Sequence, residues 1–132
     1  MDTSFARIWL RAEGLAALLG ATLLYRMFHL PWSWFFILFF APDLMMLGYL
    51  AGPRLGALAY NLGHTYALAV VVLGTGLVSE IIGRPRLALL GVSLIWCAHI
   101  GFDRMLGYGL KSPEGFKLTH LGRLGPDRHQ AG

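Results

Sequence analysis

The chain has 132 residues, room for one domain, of which 56% are apolar and only 14% charged, against about 25% charged in an average soluble domain. Its net charge of +4 comes from Lys and Arg residues set between apolar runs, which argues against a nucleic-acid partner and matches the loop positions of a membrane protein. Seventeen glycines and four tryptophans suit spanning helices and their interfaces, so the composition excludes an ordinary soluble domain and predicts an integral membrane protein surrounded by lipid.

The predicted fold is all-α, a four-helix antiparallel transmembrane bundle with helices over 5–28, 30–50, 54–79 and 86–108 and a polar tail over 111–132, the whole of 1–132 forming one domain. The first segment begins as a signal peptide does, with basic residues before an apolar stretch. Glu13 interrupts it, Arg26 follows, and no small-residue cleavage site appears, so it is expected to stay as a membrane helix. The second segment is interrupted by Asp43. The third has no acidic residue, Lys or Arg between Leu55 and Val78 and carries His64. The fourth holds its charges in its C-terminal half. A span needs about 20 apolar residues, which the second and third meet easily and the first and fourth meet if their polar groups are sheltered. None shows the alternation of a barrel strand, and four strands would not close a barrel.

The links are short. "HLPWSW" puts Pro31 in a turn and two tryptophans at an interface. "AGPR" places Gly52 after one helix and Pro53 in the first turn of the next, and "IGRPR" repeats the signal. Short links force antiparallel neighbours. Gly48, Gly52 and Gly56 fall four apart, which suits close helix approach or simply a turn around Pro53. Most Lys and Arg residues lie at the end that holds both termini, the opposite end keeping Arg26, Arg84 and Arg86, so both termini are expected in the cytoplasm. The single Cys97 allows no internal disulfide.

Depth carries the functional argument. Measured inwards from the cytoplasmic interface at about 1.5 Å per residue, Glu13 lies about 9 Å in, Asp43 about 12–15 Å, His64 about 15 Å, His99 about 13 Å and Asp103 about 7 Å. Every segment thus contributes an ionisable group to the same half. His99 and Asp103 are four apart and share a helix face, with Trp96 and Gly107 extending the stripe; Tyr60, Asn61, His64 and Thr65 form a polar patch on the third segment. Ionisable groups are costly in a membrane and usually face the bundle interior. Two imidazoles and several carboxylates make a nitrogen and oxygen ligand set for zinc, manganese or iron, and a cation relieves the repulsion between buried carboxylates.

The stretches "APDLMMLGYLAGPRLGALAYNLGHTY", "WCAHIGFDRMLGYGLK" and "GFKLTHLG" resemble the small bacterial integral membrane proteins grouped as domain of unknown function 4260. The resemblance covers nearly the whole chain. It implies a four-helix protein of the bacterial inner membrane whose motifs include Asp43, Gly48, Pro53, Asn61, His64, His99, Asp103, Gly107, Lys111 and His120. It implies no activity.

The reading favoured by the residues is a metal-dependent, hydrolase-like site acting on a membrane-associated substrate. Asp43, His64, His99 and Asp103 are the expected ligands and Glu13 a general base or further ligand. Arg54, Arg104 and Lys111, near headgroup level, are expected to hold a lipid phosphate, with Tyr60, Asn61 and His120 accessory. The alternatives are a non-catalytic structural or accessory protein with a satisfied polar network, a proton or small-solute relay, and bis-histidine haem held by His64 and His99. The relay meets an almost wholly apolar outer half unless a homo-oligomer builds a path at its interface.

Overall fold

Among the described residues, four segments are long and apolar enough to cross a membrane, Ser4–Met27, Trp32–Ala51, Pro53–Ile81 and Leu87–Leu106. The structure, a computed structural model, describes residues 4–108 and the backbone of 111–112, 115–119 and 122–123. The first and last spans are single helices, α1 (Ser4–Met27) and α5 (Leu87–Leu106). The two middle spans are broken. The second consists of α2 (Trp32–Leu38) and a 3-10 helix, Ala41–Ala51; the third consists of α3 (Pro53–His64) and α4 (Tyr66–Ile81).

These breaks correct the sequence reading, which has continuous helices over 30–50 and 54–79. In the second span Pro42 stands in the first turn of the 3-10 helix, where its missing N–H costs nothing. An eleven-residue 3-10 run is long for that conformation, and its larger rise of about 2.0 Å per residue lets a short broken span still cover a hydrocarbon layer of about 30 Å. In the third span Thr65 adopts an extended conformation (φ −98°, ψ 142°), ending α3, and its hydroxyl accepts the Ala67 N–H to start α4.

The core is organised around α5. Its buried side chains, Leu90, Leu94, Ile95, Ala98 and Ile100 among them, pack with Tyr25 and Ala21 of α1, Phe35 of α2 and Ala69 of α4. Helices α1 and α5 run antiparallel and touch backbone to backbone. A Cβ on Gly14 would lie 2.6 Å from the Met105 nitrogen, and one on Gly101 would lie 2.6 Å from the Gly14 carbonyl oxygen. Only glycine fits both positions. Arg11 then donates from Nε to the Met105 carbonyl at 2.8 Å, tying the two chain-terminal helices together at one end of the bundle.

The links behave as their residues dictate. Tyr25 donates its hydroxyl to the Pro31 carbonyl, fixing the first turn. Gly52 turns the chain at φ 126°, a conformation a side chain would resist, while Gly48 and Gly56 let the 3-10 helix and α3 approach closely. Large apolar side chains face outward along the spans, as with Ile37 (77% exposed), Ile81 (82%) and Leu50 (89%); such a surface suits lipid as its solvent. Beyond α5 the described stretches of the tail are three short antiparallel strands, β1 (Lys111–Ser112), β2 (Gly115–Thr119) and β3 (Gly122–Arg123).

Candidate metal centre

Three spans converge on one point. Asp43 comes from the first turn of the 3-10 helix, His64 from the last residue of α3, and His99 and Asp103 from one face of α5. The His64 Nε2 atom lies 3.0 Å from Asp43 Oδ1, 3.3 Å from Asp103 Oδ2 and 3.2 Å from His99 Nε2. His99 Nε2 is 3.2 Å from each of the same two carboxylate oxygens. One donor atom from each of the four residues lies within 4.8 Å of all the others.

These separations have a geometric meaning. Donor atoms held about 2.0–2.2 Å from one zinc ion in a tetrahedron lie roughly 3.3–3.6 Å apart. The five separations that involve an imidazole are 3.0–3.3 Å, close to that spacing, while the two carboxylate oxygens lie within 4.8 Å of each other. Hydrogen bonds alone fit the cluster poorly. Each Nε2 atom faces three close neighbours and carries at most one proton, which can point well at only one of them.

The break at Thr65 builds the His64 side of this centre. The last carbonyls of a helix have no partner within it, and here α5 supplies donors. Trp96 Nε1 donates to the Gly63 carbonyl at 2.5 Å and Arg104 Nη2 to the His64 carbonyl at 3.2 Å. His64 itself donates from Nδ1 to the Tyr60 carbonyl at 2.8 Å, which turns Nε2 toward the carboxylates. A histidine metal ligand is typically oriented in this way. The Tyr60 ring stacks flat on the His64 ring, centroids 3.7 Å apart and planes 6° apart, removing its remaining freedom. The C-terminal end of α3 also carries partial negative charge, which adds to the attraction of two carboxylates for a cation.

His99 is held differently. It is fully buried on α5 beneath the rings of Phe39 and Phe40, at centroid distances of 5.4 and 6.2 Å. Its Nδ1 atom makes no hydrogen bond of acceptable geometry among the described residues, although the Phe39 backbone lies beside it. Burial is uneven across the four. The side chains of His99 and His64 are 0% and 4% exposed, that of Asp103 16% and that of Asp43 38%. Asp43 is therefore the open side.

The other predicted residues take various places. Glu13 is exposed on α1 and lines a different pocket with Leu10, Tyr66 and Arg104; it is not among the four clustered residues, because the face of α1 that meets α5 is the glycine face of Gly14. Arg104 approaches the site through the His64 carbonyl and lies over the Tyr66 ring at 6.0 Å. Arg54 is exposed in the first turn of α3, ten residues before His64, about 15 Å along a helix axis. Asn61 is partly buried on α3. The Lys111 side chain and all of His120 lie outside the described residues. Sequence reasoning missed the supporting role of Trp96 and the chain break itself; the signal was "GHT", a glycine and a capping threonine inside an apolar run.

Fold and site together define a helical membrane protein with a buried two-histidine, two-aspartate cluster. The chain belongs to the family described as domain of unknown function (DUF4260), which matches residues 7–124. No curated protein and no solved structure matches the chain.

Proposed function

We propose that this protein is a metal-dependent membrane enzyme of hydrolase type, with Asp43, His64, His99 and Asp103 holding one divalent cation, zinc by preference. The observation that carries the reading is that two imidazoles and two carboxylates from three spans bring their donor atoms within 4.8 Å of one another, every separation that involves an imidazole being 3.0–3.3 Å. Such a cation supplies Lewis-acid polarisation of a carbonyl or phosphoryl oxygen and activation of water. The protein's part is to fix the imidazoles by burial and stacking and to keep Asp43, the most exposed of the four, at the side from which a substrate group would approach. Lys and Arg placement supports a cell-membrane orientation with both termini in the cytoplasm, and Arg104 beside the site suits a substrate with anionic character.

A second reading has one observation behind it. Four protein ligands and two buried imidazoles also suit a closed structural site, in which the metal joins the spans without chemistry. Two measurements separate the readings. Protein purified in mild detergent is expected to carry near-stoichiometric metal by elemental analysis, lost in His64→Ala and His99→Ala. It is then assayed for metal-dependent hydrolysis of lipid esters and phosphoesters. Metal without hydrolysis favours the structural site; wild type that neither carries nor takes up zinc, manganese or iron refutes both.

A further inference from the structure

Beside the cluster lies an apolar pocket of about 220 Å³, smaller than a drug-sized site. Its walls are built from the neighbours of the ligands. Pro42 and Gly63 precede Asp43 and His64 in the chain, Ala41 precedes Pro42, and Val92, Ile95 and Trp96 lie on α5 ahead of His99. The indole N–H of Trp96 and the carbonyl of Gly63 satisfy each other. The walls therefore consist of hydrocarbon and aromatic surface, with this polar pair already closed.

Position adds the second argument. Val92, Ile95 and Trp96 precede His99 by seven, four and three residues, which sets the pocket about 5–10 Å further from the C-terminal end of α5 than the cluster. The polar site thus sits toward one face of the membrane and the apolar pocket toward its middle. A membrane lipid has the same polarity, head toward the face and chain toward the midplane. A second apolar groove, between α1 and α2, meets the cluster only through the Phe39 and Phe40 rings and contains no chain neighbour of a ligand.

We propose that the pocket walled by Pro42, Gly63, Val92, Ile95 and Trp96 holds a segment of the hydrocarbon chain of a membrane lipid whose polar linkage reaches the four-residue cluster. This names the substrate class for the metal-site reading and rests on it. The pocket recognises chain and not headgroup, and it takes a segment of chain, the remainder lying in the surrounding bilayer.

The test uses the full-length protein in phosphatidylcholine vesicles doped with a phosphatidylcholine that carries a diazirine on one acyl chain. After irradiation, labelled peptides are mapped by mass spectrometry while metal content is measured on the same sample. Labelling is expected at Trp96 and at Met45 of the 3-10 helix, which also lines the pocket, above that of the bilayer-facing Ile37 and Leu50. Val92→Phe and Ala41→Phe, each of which adds bulk to the lining from a different span, are expected to lower the Met45 and Trp96 labelling roughly tenfold, the effect of excluding about two methylenes from a buried site. Both variants keep their metal, since neither residue is a ligand, and this retention shows that the bundle has folded. Labelling at Met45 and Trp96 equal to that at Ile37, or unchanged in both variants, overturns the pocket. Pocket labelling in a protein that takes up no metal overturns the metal reading instead.

Discussion

Replacing His99 by alanine removes one of four donors without touching the other three. Apparent zinc affinities of four-ligand sites correspond to about 10–16 kcal/mol, or roughly 2.5–4 kcal/mol per ligand, so the variant is expected to bind about 10²–10³-fold more weakly. At a metal concentration about 100 times the wild-type dissociation constant, binding stabilises the native state by about 2.7 kcal/mol. For a chain of this size that corresponds to a rise in Tm of about 10 °C. In His99→Ala at the same concentration the metal falls to about its own dissociation constant or below, and the stabilisation shrinks to about 0.4 kcal/mol or less, a shift of about 1–2 °C. Thermal unfolding in detergent, followed with and without added zinc after chelator treatment, measures both numbers. Equal shifts in the two proteins would falsify the four-ligand geometry, as would a wild type that zinc leaves unmoved.

Glu13→Gln is expected to leave zinc binding unchanged, since Glu13 lies apart from the cluster; titration calorimetry showing a loss comparable to that of Asp103→Asn would contradict this placement. Trp96→Phe removes the donor to the Gly63 carbonyl and is expected to cost about 0.5–1.5 kcal/mol of stability and to weaken metal binding about 10-fold through loosening of His64, both readable from zinc-dependent melting curves. Gly101→Val forces a Cβ to within 2.6 Å of the Gly14 carbonyl and is expected to destabilise the bundle by at least about 1–3 kcal/mol, seen as a lower Tm; an unchanged Tm would mean that α1 and α5 do not meet there.

The four spans were legible because length and apolar content decide them, and their short links left only an antiparallel order. The pairing of His99 with Asp103 was legible too, since four residues on one helix share a face. Common depth picked out Asp43 and His64 but also Glu13, because depth along a helix says nothing about direction around it. What set that direction was the contact of Gly14 with Gly101, and a glycine in a glycine-rich chain does not announce its partner. The break at Thr65 left only the faint signal of a glycine and a capping threonine in "GHT". Neither proline nor charge marks it, and the donors that make it tolerable, Trp96 and Arg104, lie on another span.

One span, α5, supplies two of the four clustered side chains, most of the buried core and the surface on which α1 rests. Damage to it is therefore collective: a displaced α5 takes away the interior, half of the cluster and the seat of α1 together. A fragment ending before residue 87 is expected to keep the contact of the 3-10 helix with α3 and to lose the rest of its tertiary structure.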